Sequence, residues 1–345
     1  MMRLSQLVEK LGGELHGADA EVTRVSSLDG ATPDALTFLT NPRFKNLLVD
    51  CKAACVLLKA ADAQDVTVPH IVTDNPYLYY ARAAALLHPA PAVRAGIHPA
   101  AYVDATAVVA ADAEVGPGAT VCAGAVIGAG AVIMPQAYVG ERAQVGAGAR
   151  MYPQSCLMAE CIIGERVILH PGAVIGADGF GNAWADDHWE KIPQLGRAII
   201  GDDVEIGANT TIDRGALEDT IVANGARIDN LIMIGHNCQI GEHAAMASCV
   251  GIAGSTRIGA RCQIGGAAMI GGHLDIADGT IILAATAVTK SIREPGVYGG
   301  PIPAAPQDQW AKNAVHLRRL EVTNNKVKQL EKQVAALLAR DTQEE

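Results

Sequence analysis

Residues 222–264 read VANGARIDNLIMIGHNCQIGEHAAMASCVGIAGSTRIGARCQI, and every sixth residue from Val222 (Ile228, Ile234, Ile240, Met246, Ile252, Ile258, Ile264) is apolar. The register continues through Ile270, Ile276 and Ile282 to Val288. Upstream it runs unbroken from Ile97 through Val103 and Val109 to Ile175, and it restarts at Ile200, Ile206 and Ile212. Gly often follows the apolar residue directly, as in Ile127-Gly128, Ile163-Gly164 and Ile240-Gly241, with small Ala, Ser, Thr or Val residues common three positions later. A six-residue unit of this kind reads as a short strand followed by a tight turn.

Physically, each unit makes one side of a triangular coil and points its aliphatic residue inward, while successive coils stack by parallel backbone pairing. Three units make a coil, and at about 4.8 Å per stacked strand roughly ten coils form a prism on the order of 48 Å long. Separate strands in a sandwich would instead require alternation of period two and hairpin turns. The composition agrees: 50% of residues are hydrophobic but only 4% aromatic, and there are 36 glycines, so the core must be built from small side chains. Two breaks in register must bulge outward, because a coil cannot absorb extra residues. One spans Gly176 to Arg197 and carries Trp184 and Trp189; a shorter one falls near Ala216 to Asp219. Long loops on a rigid scaffold either build sites or merely decorate it.

The flanks lack the period. Residues 1–96 read as a small α/β domain with a helix over Leu4 to Leu11 ending at Gly12-Gly13, strands near Ala54 to Leu58 and Ile71 to Thr73, and a second helix opened by Asn75-Pro76. Within it, Phe38, Asn41 and Phe44 place two aromatics and an amide around a turn, suited either to a planar base or to domain packing. The prism is expected over 97–300. Beyond Pro301, Pro303 and Pro306, residues 301–345 read as helical, with Leu320, Val327, Leu330, Val334 and Leu337 forming a seam. Between Lys312 and Lys332 six basic residues, Arg318 and Arg319 among them, face only Glu321 and Glu331, so this stretch is either a docking surface for an acidic partner or a solvated face.

A formal net charge of −10 with no basic stripe argues against nucleic acid as a partner. Eight cysteines without C-x-x-C or zinc-ribbon spacing point to reduced thiols and a cytosolic setting. Neither a signal peptide nor a transmembrane run is apparent.

Of ten histidines, His236 and His273 stand out. They lie close to two coils apart, which places them on about the same side of the prism at roughly 10 Å. A zinc site would have to be assembled from His236, His243 and His273 with no completing ligand set, so no metal is expected. A general base is the better reading, since imidazole accepts a proton near neutral pH. No G-x-S-x-G elbow is present and Cys238 has no evident activating partner, which favours direct attack over a covalent acyl-enzyme.

The run from Gly201 to Leu217 (GDDVEIGANTTIDRGAL), the insertion segment GADGFG at 176–181, Ile234-Gly235-His236-Asn237 and the EPGVY run at 294–298 together resemble the UDP-3-O-(3-hydroxyacyl)glucosamine N-acyltransferases of lipid A synthesis, over essentially the whole chain. That resemblance implies a left-handed prism, although general crossover chirality is right-handed. It also implies a cytoplasmic homotrimer with sites between neighbouring prisms and no cofactor. Such an enzyme moves a 3-hydroxyacyl chain from acyl carrier protein to the 2-amino group of a UDP-linked, O-acylated glucosamine. By the same resemblance His236 is the general base, Gly254 offers its N–H to the oxyanion, His273 supports the reacting groups and Asp229 is a further polar candidate. Phe38, Asn41 and Phe44 fall on uracil-contacting positions, with Phe44 standing where Tyr is typical. Lys312, Arg318 and Arg319 belong to the stretch that suits the carrier protein. Two other readings stay open on the residues: a coenzyme A-dependent acetyltransferase of a nucleotide amino sugar, and a non-catalytic trimeric module whose histidines pack between subunits.

Overall fold

The structure, a computed structural model, describes residues 1–64, 66–300 and 304–341; Pro301 and Pro303 lie outside these. The chain divides into two compact units, Met1–Ala92 and Val93–Glu345.

In the second unit, two-residue strands recur every six residues and pair only with strands one coil away, in parallel. Three sheets of eleven, ten and nine strands result, beginning respectively at Gly96–Ile97, Tyr102–Val103 and Val108–Val109. They are the first, second and third walls of a triangular solenoid. The stepped residues face inward as expected: Ile127, Ile133, Val139, Met151, Leu169, Ile212, Ile234 and Ile252 are buried. The small residue four positions after the inward aliphatic, such as Ala131, Ala143, Thr210, Cys238 or Thr256, is buried at the corner. Each coil side thus supplies one large and one small group to a dry interior.

The turns carry a second regularity. From Val115 to Ile282, except at the two insertions, the third residue after the inward aliphatic adopts the left-handed conformation, as at Gly148 (φ 66), Arg142 (φ 54), Asn237 (φ 60) and His273 (φ 57). A non-glycine residue there costs about 1–2 kcal/mol. A ladder bond to the previous coil offsets it: Gly148 N–H donates to Ala129 O at 2.8 Å and Arg142 N–H to Ala123 O at 2.9 Å. Close stacking also explains Gly146, where a Cβ would sit 2.3 Å from the Gly164 carbonyl group.

Both register breaks leave the prism at one corner. The first follows the second-wall strand Val174–Ala177, forms an antiparallel hairpin (Asn182–Ala185 with His188–Lys191), and rejoins the third wall at Ala198–Ile200. The hairpin was not apparent from sequence; its cross-strand pair Trp184 and Trp189 meets edge to face with centroids 5.0 Å apart. The second break lies between Thr211–Asp213 of the second wall and Thr220–Val222 of the third. Beyond the prism come α3 (Gln307–Arg318) and α4 (Leu320–Asp341).

In the first unit, α1 (Leu4–Leu11) and α2 (Pro76–Leu87) accompany a five-stranded sheet ordered Glu14–His16, His70–Val72, Cys55–Leu58, Ala35–Phe38, Arg24–Val25. Asn75 caps α2, its side-chain oxygen accepting from Leu78 N–H at 3.1 Å. Leu4, Leu7, Leu57, Ile71 and Tyr79 form the core.

Because Ile133 is fully buried in the stacked core, Ile133→Ala is expected to destabilise the solenoid by about 2–5 kcal/mol. Denaturant unfolding monitored by circular dichroism measures this, and a loss below about 1 kcal/mol would contradict a close-packed interior.

Candidate active site

The corner between the second and third walls gathers both insertions and both histidines. His236 stands in the turn Gly235-His236-Asn237 after the strand Met233–Ile234, and His273 in the turn after Met269–Ile270, two coils further on. Gly254 occupies the intervening turn. The two histidines are offset by one turn position: His273 takes the left-handed place, and its backbone N–H donates to Gly254 O at 3.1 Å. Its side chain is exposed, whereas His236 is half-buried.

Asn237 organises this corner. Its backbone N–H donates to Thr220 Oγ1 at 2.7 Å, and its Nδ2 donates to Glu218 O at 2.9 Å. Its Oδ1 accepts from Ala216 N–H at 3.0 Å, which orients the amide and pins the shorter insertion. The same Oδ1 lies 2.9 Å from His236 Nδ1. An oxygen held as acceptor requires Nδ1 to carry the proton, so the neutral imidazole has its lone pair on Nε2.

That nitrogen lies over Gly254, where a Cβ would come within 2.7 Å of Nε2. The Gly254 N–H meets no acceptor among the described residues, which leaves it free to donate to an incoming oxygen. The longer insertion forms the other side, since a Cβ on Gly179 would lie 2.7 Å from His236 Cβ and 2.9 Å from Gln194 Oε1. Gln194 is buried, and its Oε1 has no hydrogen-bond partner. Arg197 closes the insertion by pairing with Asp219, Nη2 to Oδ2 at 2.7 Å.

One further group was not singled out from sequence. Asp213 precedes His236 by one coil on the same wall, and burial, with the charge of Asp178 adding to it, raises its carboxyl pKa to about 6, against a lowering influence from His236. Cys238 is buried, donates to Ala253 O at 3.3 Å and is pushed up to about 11 by burial, so it offers no thiolate nucleophile. His243 follows a third-wall strand, Gln239–Ile240, and therefore occupies a different corner from His236. Among the described residues, no group of three or more His, Cys, Asp or Glu side chains is placed to hold a metal ion.

Asp229 stands apart from the histidines within one chain. It follows the first-wall strand Arg227–Ile228 and so occupies the corner between the first and second walls, one prism side from His236. Its carboxylate accepts from Ser248 Oγ and from Ser248 N–H at 3.0 Å, and the hydroxyl contact lowers its pKa. An open groove of about 860 Å³ runs beside it, lined by Arg227, Met246, Ile264, Ile282 and Ala284 among others.

In the first unit, Phe38 ends its strand against Tyr80 and Tyr77, with ring centroids 4.3 and 5.6 Å away. These two tyrosines extend the aromatic group read from sequence. Asn41 Oδ1 accepts from Arg43 N–H at 3.1 Å, leaving its Nδ2 as donor, and Phe44 is exposed. Lys312, Arg318 and Arg319 are exposed on α3 and at its junction with α4. The seam residues Leu320, Val327, Leu330, Val334 and Leu337 are exposed too.

Comparison with known proteins defines the class first. The solved structure of UDP-N-acetylglucosamine acyltransferase from Arabidopsis superposes with a TM-score of 0.54 at 21% identity, covering 59% of this chain and 71% of that one. The fold is the left-handed parallel β-helix of hexapeptide repeats. A family model described as UDP-3-O-(3-hydroxymyristoyl) glucosamine N-acyltransferase matches residues 19–86. The UDP-3-O-acylglucosamine N-acyltransferase of Herminiimonas arsenicoxydans is 50% identical over 97% of this chain and 98% of its own length. Its counterpart from Pseudomonas aeruginosa strain UCBPP-PA14 is 52% identical over 97% and 95%. The chain belongs to the UDP-3-O-acylglucosamine N-acyltransferase family, and it is an acyltransferase.

The clearance above Gly254 yields a test. Gly254→Ala adds one methyl into the space beneath Nε2, and turnover should fall at least roughly a hundredfold, the scale of general-base catalysis, with little change in melting temperature. Wild-type turnover in the alanine variant would show that the ring does not occupy this position during reaction.

Proposed function

We propose that the corner holding His236 transfers a 3-hydroxyacyl chain from acyl carrier protein to the 2-amino group of UDP-3-O-(3-hydroxyacyl)glucosamine, in lipid A synthesis. The observation that carries this reading is the contact of His236 Nδ1 with Asn237 Oδ1, an oxygen that also accepts from Ala216 N–H, which makes Nδ1 the donor and leaves Nε2 as the acceptor. The amine nitrogen attacks the thioester carbonyl carbon, and Nε2 takes the proton it releases. Gly254 N–H donates to the oxyanion of the tetrahedral intermediate. Collapse breaks the carbon–sulfur bond, and the proton passes from the imidazolium to the departing thiolate. His273, exposed at the same corner, assists in holding the reacting groups.

A homotrimer with sites between neighbouring prisms accounts for the separate position of Asp229. Threefold packing of triangular prisms sets the Asp229 corner of one protomer opposite the His236 corner of the next, with the groove along the first wall open to an acyl chain. In the first unit, Phe38 and Phe44 offer rings to a uracil, and Asn41 Nδ2 donates to one of its carbonyl oxygens. The carrier protein, which is acidic, docks on the basic stretch around Lys312, Arg318 and Arg319. The whole reaction proceeds in the cytoplasm; no helix among the described residues is long and apolar enough to cross a membrane.

The deciding assay pairs purified protein with 3-hydroxyacyl carrier protein and UDP-3-O-(3-hydroxyacyl)glucosamine, beside acetyl coenzyme A with simple UDP-amino sugars. Amide product from the first pair only, abolished by His236→Ala and reduced by His273→Ala, is the expected result; product from the second pair alone would overturn it. Inactive His236→Ala and Asp229→Ala chains, refolded together, should regain about a quarter of wild-type turnover if each site draws on two protomers. No recovery would remove Asp229 from the shared site.

Charge reversal of Arg318 and Arg319 should raise KM for the carrier protein at least about tenfold at low salt, with kcat unchanged. An unaltered KM would exclude this surface from docking.

A further inference from the structure

His236 differs from the histidine of a serine-protease-type triad in one respect that bears on its charge. There the ring is oriented by a carboxylate, which also balances the imidazolium. Here the orienting group is the neutral Asn237 amide, so the positive charge that appears when Nε2 takes a proton has no counter-ion in contact. Asp219 and Asp229 are committed elsewhere, to Arg197 and Ser248. Asp178, on the longer insertion, is in contact with Lys191 of the hairpin.

Asp213 is the exception. It lies one coil before His236 on the same wall, with Ile212 in register with Ile234. A bulge in the preceding strand, between Ile175 and Ala177, sets Ala177 opposite Asp213, and Arg214 N–H donates to Ala177 O at 2.8 Å. The insertion therefore begins directly over this carboxylate. Asp213 is half-buried, and its side chain has no hydrogen-bond donor or ion-pair partner among the described residues. A carboxylate that has lost part of its hydration and has no partner is destabilised in its charged form until a positive charge arrives to meet it.

Resting on the general-base reading above, we infer that Asp213 is the electrostatic partner of His236, a positioning residue whose negative charge stabilises the imidazolium formed during acyl transfer. The groups facing it are His236 from the following coil, Asp178 from the insertion and, more weakly, buried Cys238. Asp178, which pairs with Lys191, is the one carboxylate among them that opposes ionisation of Asp213, and His236 is the one group that favours it. With its pKa raised to about 6, Asp213 is ionised at neutral pH and loses its charge as the pH falls through that value. The sign for stability follows. A carboxyl whose folded pKa is raised favours the protonated fold, so above about pH 6 its ionised form weakens the folded state.

Asp213→Asn separates this role from a structural one, because it keeps the shape and removes the charge. At pH 8 the variant should melt no lower than wild type while kcat falls roughly tenfold, the scale of one displaced charge near a base. The acid limb of its kcat profile should move to lower pH. Carbon-13 titration of the His236 ring, compared with His236→Ala spectra for assignment, should show the same displacement without any substrate. An unchanged ring titration and unchanged kcat would overturn the inference, as would a large drop in melting temperature with an unmoved acid limb. Retained turnover in His236→Ala would instead defeat the general-base reading, a result the ring titration distinguishes from failure of the coupling itself.

Discussion

Parallel backbone pairing between coils is the constraint on which the rest depends. Each two-residue strand bonds to the strand a full coil before and after it, and each turn bonds back to the turn beneath it. The stacking leaves no slack along a wall, as the clash of a Cβ at Gly146 with the Gly164 carbonyl shows. Extra residues can leave only at a corner, between the end of one strand and the start of the next. Both insertions do so at the same corner, and the histidines follow there because that is where the chain has room to build a concave wall.

The same rigidity explains how little machinery the site contains. Turn positions repeat in the same orientation coil after coil, so a side chain in one turn stands over the equivalent residue in the next. His236 stands over Gly254, and the missing Cβ there is what makes space for the ring. Asn237, in the left-handed position, needs no packing of its own beyond the bonds it makes to Thr220, Ala216 and Glu218. One amide thereby fixes an insertion, a tautomer and the direction of a lone pair. Among the described residues, two groups without partners, Gln194 Oε1 and the Asp213 carboxylate, lie near the same ring. Such groups lower stability, and their presence beside the ring is the pattern expected where function opposes stability.

Much of this was legible in the chain itself. The inward positions from Val103 to Val288 could be assigned because one aliphatic residue per six is the pattern a stacked coil requires, whereas Ile97, in the open first coil, is half exposed. Helices α1 and α2 were recognisable from Gly12-Gly13 and the Asn75-Pro76 cap, which act locally. The hairpin holding Trp184 and Trp189 was missed, since its short strands carry polar and acidic residues and pair only with each other. The strands at Glu14–His16, Arg24–Val25 and Ala35–Phe38 went unassigned for a similar reason: they are short and lack clear alternation, and their place depends on neighbours distant in sequence.

Periodicity therefore determined the solenoid, its length and the corner to which His236 and His273 belong, because backbone stacking converts a count of residues directly into a position in space. What only the tertiary structure decided is the chemistry at that corner. No spacing rule shows that Asn237 orients the ring, that Gly254 makes room for Nε2, that Asp229 stands a prism side away, or that Asp213 lies unpartnered beneath an insertion. Those relations join residues in different coils and loops, and they depend on where side chains point after the backbone has stacked, which the six-residue repeat does not encode.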